Sequence, residues 1–173
     1  MEENPGAYIL DVTSSSEQYE GKILSPFYPH GRIPIPGESK MVTATCVEAI
    51  WQGLKVFEND GIDLAMFRND TMKNIKRTVR KFGKPLGHQY GVFSKTLLNY
   101  EDAKRLIYIP TYKYVLENVP SVIRSLDKIR KLLETQDVVL LDYNLNPDNA
   151  DKSKPLSHAE LIKMYLEGRY PEE

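Results

Sequence analysis

Thr45-Cys46-Val47-Glu48-Ala49-Ile50-Trp51-Gln52-Gly53-Leu54-Lys55-Val56-Phe57 places apolar residues at Val47, Ile50, Leu54 and Phe57, the three- and four-residue spacing of a helix with one buried stripe. Thr45 followed by Glu48 predicts a capping-box start, and Asn59-Asp60-Gly61 predicts a stop. At roughly 100° per residue, Glu48, Trp51, Gln52 and Lys55 share about a third of the helix circumference, away from the apolar stripe. Such a face is ordinarily the solvated side of an amphipathic helix, and a cap alone accounts for Glu48. Trp51 argues the other way, because a large aromatic there wants a partner or a ligand. Gly53 in mid-helix costs about 1 kcal/mol relative to alanine, which predicts that another group approaches the backbone at that point.

On the amino-terminal side, Tyr8-Ile9-Leu10-Asp11-Val12 is a short β-type run, and residues 13–21 are polar enough for a loop. Residues 23–37 hold four prolines and two glycines, which forbid a helix and suit an extended segment or edge strand through Ile33 and Ile35. This segment is either a structural wrap or a rigid presentation of Phe27, Tyr28, His30 and Arg32.

On the carboxyl-terminal side, Ile62 to Phe67 reads as a short helix or strand. Asp70 or Thr71 then starts a helix with Met72, Ile75, Val79 and Phe82 as its stripe and Gly83 as its stop. Lys73, Lys76, Arg77, Arg80, Lys81 and Lys84 make this the densest positive cluster of the chain, either a phosphate-binding surface or a solvated basic face. Gly87-His88-Gln89-Tyr90-Gly91 predicts a tight loop where backbone can meet a ligand. Asn99 caps a helix through Ile107, and Pro120 opens another with Val122, Ile123, Leu126, Ile129, Leu132 and Leu133 as its core stripe. Asp137-Val138-Val139-Leu140-Leu141-Asp142-Tyr143 predicts a strand buried on both faces, with Asp142 at its carboxyl end as a turn starter or a site residue. Residues 144–155 read as a polar loop, and Ser157 with Glu160 begins a last helix. Helices around a few short strands give one predominantly helical α+β domain over residues 1–173.

The 173 residues carry a net charge of −1, so any attraction to nucleic acid or membrane must be local. Cys46 is the only cysteine, and His30, His88 and His158 are far apart in sequence, so neither a disulfide framework nor a metal site is expected. The start of the chain lacks the features of a signal peptide and no run has membrane-spanning length, so the expectation is a cytoplasmic protein without membrane partners.

Two segments together resemble the NADAR family, also called YbiA-like. Ser25-Pro26-Phe27-Tyr28-Pro29 is similar to that family's Ser-Asn-Phe-Tyr-Pro, and Glu48-Ala49-Ile50-Trp51-Gln52-Gly53-Leu54-Lys55 to its Glu-His-x-x-Gln-x-x-Lys helix. Asp142-Tyr143-Asn144-Leu145-Asn146 and Pro155-Leu156-Ser157-His158 add a third, looser match. Pro26 and Ala49 depart from the motifs and the family's Asp-x-x-Trp-Gly is absent, as in a divergent relative.

The resemblance implies a NADAR-like α+β domain and an N-glycosidase, without cofactor, acting on a ribosylamine or on ADP-ribose joined to a base, free or borne on nucleic acid. The alternative is a non-catalytic ADP-ribose or nucleotide binder of the same fold. Cleaving a C1′–N bond builds positive charge on the sugar, which a carboxylate stabilises while water attacks. Glu48 is the first candidate and Asp142 the second. Lys55 matches the family lysine and either attacks the aldehyde of opened ribose or binds an anionic group. Tyr28 and Trp51 stack on base or sugar, Gln52 binds substrate hydroxyls, Asn144 is a further substrate-binding residue, and Arg77 and Lys84 serve the phosphates with His88 assisting.

Overall fold

The computed structural model describes residues 6–143, 146 and 149–172. In chain order they form strand β1 (Tyr8–Asp11), the single turn α1 (Tyr19–Lys22), strands β2 (Ile33–Pro34) and β3 (Thr43–Ala44), helix α2 (Val47–Leu54) and strand β4 (Lys55–Phe57). A 3-10 turn (Leu64–Arg68), the short helix α3 (Val79–Phe82) and strands β5 (Pro85–Gln89) and β6 (Leu97–Leu98) follow. Helix α4 (Tyr100–Ala103), a π-helical segment (Lys104–Tyr108), α5 (Ile109–Asn118), α6 (Pro120–Leu133), β7 (Val138–Leu141) and α7 (His158–Leu166) complete the order. Helices and short strands are thus mixed in one chain, and no helix of the described residues is long and apolar enough to cross a membrane. Two compact units result, Pro26–Val115 on the one hand and residues 6–25 with 116–172 on the other.

In the unit Pro26–Val115, every residue of α2 except the half-buried Trp51 is buried. The helix is shorter than its apolar spacing predicts. Lys55 is already extended (φ −71°, ψ 135°) because the antiparallel ladder to β5, Lys55 opposite His88 and Val56 opposite Gly87, captures the backbone there. Phe57 is buried from a strand and not from the helical stripe. The cap differs too. Cys46 Sγ accepts from Ala49 N–H at 3.3 Å, whereas the Thr45 hydroxyl donates to Asn69 O at 2.5 Å.

Gly53 has the neighbour its mid-helix position predicts. A Cβ there would lie 2.5 Å from Phe67 Cε1. The 3-10 turn that holds this ring is capped by Asp63 Oδ1, which accepts from Ala65 and Met66 N–H, and Asp63 N–H in turn donates to Gly53 O at 2.8 Å. Met66, Ile75, Cys46, Ala49 and Phe27 pack together against the helix.

The helix predicted from Asp70 to Phe82 is reduced to α3. Asn69 and Thr71 turn their side chains onto nearby backbone, with Asn69 Nδ2 and Thr71 Oγ1 both donating to Lys73 O, and Met72 and Asn74 adopt positive φ. Such local bonds compete with helical ones. The chain runs on as an arm whose alternate residues Ile75 and Arg77 point inward, while Lys73, Lys76, Arg80, Lys81 and Lys84 are exposed. Strands β4, β5 and β6 form an antiparallel sheet, so His88 belongs to a strand and not to the predicted loop. The proline-rich segment supplies β2, paired with β3.

In the other unit, β1 and β7 pair in parallel, Tyr8 opposite Val138 through Asp11 opposite Leu141. With only two strands, β7 is half-exposed rather than covered on both faces. Helix α6 buries Val122, Leu126 and Ile129 but leaves Ile123 and Leu133 exposed, so its core stripe is narrower than expected. Ser125 of α6 donates to Glu20 O at 2.6 Å, and Ser157 caps α7 as predicted by accepting from Glu160 N–H.

Replacing Gly53 by alanine should destabilise the protein by about 1–2 kcal/mol, since overpacking against Phe67 outweighs the gain in helix propensity. Urea denaturation of the variant measures this. A midpoint at or above that of the natural protein would show that the ring moves aside without cost.

Candidate functional site

Glu48 stands in the first turn of α2 and is 8% exposed. The N-cap is Cys46, one residue later than the Thr45 cap that the sequence predicts, so Glu48 stands one position earlier in the first turn than a capping box places it. Its backbone N–H donates to Pro26 O at 3.0 Å, which docks the start of the Pro26-Phe27 segment on the helix. One turn on, Gln52 Nε2 donates to Glu48 Oε1 at 3.0 Å, and Gln52 Oε1 accepts from Arg77 N–H at 3.1 Å. The second bond fixes which end of the amide faces the carboxylate.

Around Glu48 the electrostatics are linked. Burial pushes the Lys55 amine below its ordinary pKa, and the charge of Arg77 adds to this while that of Glu48 opposes it. Burial, and then the Glu48 charge, push the Tyr100 hydroxyl up. His88, opposite Lys55 in the ladder, is pushed down to about 3, first by burial and then by the Lys55 cation, with a weak opposing pull from the Trp51 main chain. It is therefore neutral near pH 7. Neither of its ring nitrogens has a hydrogen-bond partner in good geometry.

Aromatic rings surround these groups. The Trp51 indole lies on the His88 imidazole, centroids 3.9 Å apart, and meets the rings of Tyr100 and Tyr108 edge-on at 6.1 and 5.7 Å. Lys104 is buried, with its Nζ 4.2 Å from the centroid of Tyr100. Glu48, Gln52, Lys55, Trp51 and His88 are thus brought together, and Tyr100, Lys104 and Tyr108 join them. The sequence reading missed these last three. Their signal was present as the spacing i, i+4, i+8 behind the Asn99 cap, which puts an aromatic, an amine and an aromatic on one helical face.

Other expected site residues lie elsewhere. Arg77 is buried and engaged with the protein itself. Its guanidinium donates to the carbonyls of Gln52, Lys55 and Gly61 and pairs with Asp60 at 3.2 Å. It is flanked by the rings of Phe57 and Phe82 at 4.7 and 4.9 Å. Arg77 is a structural clamp, and the expectation of a phosphate ligand is corrected. Lys84 is exposed, with its main chain bonded to Glu58. Tyr28 is half-buried, its ring 4.7 Å from that of His30. Asn144 lies outside the described residues.

Asp142 belongs to the other unit. Burial alone would raise its pKa, but the hydrogen bond and charge of His158 at 3.1 Å, with Tyr143 N–H at 2.7 Å and Ser157 Oγ at 3.1 Å, hold it below the ordinary carboxylate range. The second nitrogen of His158 lies 2.7 Å from Val12 O. Both ring nitrogens thus face oxygen atoms. The Asp142 carboxylate thereby ties the end of β7 to the start of α7 and, through His158, to the residue after β1. Its oxygens are engaged by the protein's own donors. Among the described residues no group of three or more His, Cys, Asp or Glu side chains is placed to hold a metal ion.

The chain belongs to a family of unknown function, DUF6939, which matches residues 1–162. No curated protein matches the sequence.

The depressed pKa of Asp142 makes its contribution to stability present above the unfolded value of 3.8 and lost as the pH falls through the lower folded value. Asp142→Asn should cost about 1.5–3 kcal/mol at pH 7, where the charged hydrogen bonds operate. The loss should shrink toward pH 2. Thermal unfolding followed by circular dichroism between pH 7 and pH 2 tests this. A deficit that does not change with pH would remove the carboxylate's charge from the account.

Proposed function

We propose that the cluster around Glu48 is the reactive centre of an N-glycosidase that hydrolyses the C1′–N bond of an ADP-ribosylated base or a phosphoribosylamine, within a NADAR-like α+β fold. The observation that carries this reading is a buried carboxylate that accepts a hydrogen bond from Gln52, itself fixed by the Arg77 backbone. A carboxylate so placed meets the positive charge that develops at C1′ and orients the attacking water, and withdrawal from bulk water strengthens that interaction. Tyr100, kept protonated by burial and by Glu48, is available to supply the proton taken by the leaving nitrogen. Water adds its hydroxyl to C1′ and gives its proton to Glu48, the C1′–N bond breaks as the nitrogen takes the Tyr100 proton, the base or amine departs neutral, and return of the proton from Glu48 to the Tyr100 phenolate restores both groups. Trp51 offers an aromatic edge for a base.

Lys55, its amine made less basic by burial, either attacks the aldehyde of opened ribose as a neutral amine or, protonated, binds an anionic group. With Arg77 engaged in the core, phosphate recognition falls to Lys55 and to exposed cations such as Lys84.

One observation favours the second reading, a nucleotide or ADP-ribose binder without hydrolysis. Ala49 replaces the histidine of the motif it resembles, and this position is fully buried beside Cys46, Met66 and Ile75.

Glu48→Gln should lower release of free base or amine by about 100-fold or more, the scale of losing a positioned acid–base group, in a discontinuous chromatographic assay with an ADP-ribosylated nucleoside and a phosphoribosylamine. Unchanged turnover would remove Glu48 from the chemistry. Calorimetric binding of ADP-ribose by the natural protein, with no product after long incubation, would establish the binder instead.

A further inference from the structure

Charge is distributed unevenly along this chain. Residues 71–100 hold seven Lys and Arg and no Asp or Glu, while the rest of the chain carries 16 cations against 24 acids. The net charge of −1 therefore conceals a segment of +7 set against −8 elsewhere, and such a segment makes a local positive field that the total hides. Folding removes one of the seven from the surface, since Arg77 is buried and bonded to carbonyls and to Asp60. Lys73, Lys76, Arg80, Lys81 and Lys84, on the arm, on α3 and just after it, are all exposed. None of these five side chains forms an ion pair among the described residues. Asp70 precedes the row, and Glu58 borders its end, where it accepts from Lys84 N–H at 2.9 Å. Two acids thus stand against five cations.

Between the cations, Asn74 and Thr78 are exposed too, and neither side chain is hydrogen-bonded among the described residues; Thr78 stands at the N-cap of α3 without capping it. Exposed Lys, Arg, Asn and Thr are the groups that meet phosphate and sugar oxygens. The chemistry of the row also separates the possible polyanions. A lipid surface is held by apolar side chains as well as by charge, and the row offers only Val79, with Leu86 just beyond it. An acidic protein places its carboxylates where its own fold dictates. Backbone phosphates recur with every nucleotide, so a nucleic acid meets cations repeated along residues 73–84 without needing a dedicated shape.

We propose that the exposed cations of the arm and α3 hold the phosphate backbone of a nucleic acid. Contacts of this kind position the polymer and carry no sequence preference. The proposal goes beyond the Glu48 reading and does not need it, since a protein without hydrolytic activity would show the same binding. The arm is what joins the two sites. Its exposed cations face the polymer, while Arg77 N–H on the same arm holds Gln52.

The test is fluorescence anisotropy of labelled single-stranded oligonucleotides of two unrelated sequences, titrated with the full chain. Both should bind alike, and log K should fall against log salt with a slope of about −3.5 if all five cations neutralise phosphates. The triple variant Lys73→Gln, Lys76→Gln, Arg80→Gln should bind about tenfold or more weakly and flatten that slope by about 2. The same change of charge at exposed positions of the other unit, Arg124→Gln, Lys131→Gln, Lys163→Gln, should leave the affinity unchanged. Should the first triple variant fail to fold, Lys76→Gln alone, with a slope flattened by about 0.7, carries the test. No saturable binding at low salt, equal weakening by the two triple variants, or displacement by poly-glutamate as readily as by unlabelled strand would each overturn the proposal. Cosedimentation with phosphatidylserine vesicles that the first three substitutions abolish, without binding of either oligonucleotide, would overturn it in favour of a lipid surface. Binding is read without turnover, so each outcome is separate from whether Glu48 takes part in hydrolysis.

Discussion

The arrangement around Glu48 depends on one buried guanidinium. Arg77 is 5% exposed, and removing such a cation from water costs several kcal/mol unless its donors are met. Three carbonyls and the Asp60 carboxylate meet the two terminal nitrogens and two aromatic faces flank the group, while Nε is buried without a hydrogen-bond partner. Asp60 is half-exposed, so its ion pair is screened and the carbonyl bonds are the stronger hold. These bonds fasten the end of α2, the start of β4 and the turn at Gly61 to the arm that carries Arg77. The Arg77 main chain then orients Gln52, and Gln52 orients Glu48. A residue with no direct contact to the carboxylate in this chain of bonds thus sets its geometry through two links, while its charge lowers the basicity of Lys55.

The sequence displayed local signals and concealed the competition between them. The helix at Val47, the glycine that an aromatic ring overlies, strand β1 and the Ser157 cap were all legible, because periodicity, backbone crowding and capping are decided within a few residues. The end of α2 was not. Val56 and Phe57 continue a helical stripe on paper, but pairing with residues 85–88 draws Lys55 to Phe57 into a strand, and that partner lies some thirty positions away. The same limit hid the role of Arg77. In the sequence it is one cation among many, and only the tertiary placement of Phe57, Phe82 and three carbonyls makes it unlike Lys76 or Arg80. The choice of Cys46 over Thr45 as cap follows from Asn69 O, which draws the threonine hydroxyl away.

Glu48 and Lys55 remain coupled although they do not share a helix. Seven positions apart, they would sit nearly two helical turns from one another on a common face. The strand carries Lys55 away along β4 and sets it against His88, yet the carboxylate and the amine still act on each other's charge. The candidate site therefore rests on a helix-to-strand junction, with Arg77 bracing the bend by bonding to Gln52 O on one side and Lys55 O on the other.

That junction also determines the protonation of the whole cluster. His88 is held neutral by burial and by the Lys55 cation, so it contributes stacking to Trp51 and no fixed charge. The Tyr100 hydroxyl stays protonated, and the buried Lys104 amine lies over its ring, at the start of a π-helical segment of the kind often found at functional sites. A buried carboxylate, two amines, a neutral imidazole and a protonated phenol are thereby gathered among aromatic rings, with no metal-ligand cluster among the described residues. Such a set can stabilise positive charge at one oxygen pair while offering protons and cations nearby, the division of labour on which the proposed cleavage of a sugar–nitrogen bond draws. A purely structural network would have no need of an imidazole buried without hydrogen-bond partners in good geometry. That imidazole faces Lys55 at the helix–strand junction, and this separates the cluster from the Asp142–His158 lock of the other unit, where both ring nitrogens face oxygens.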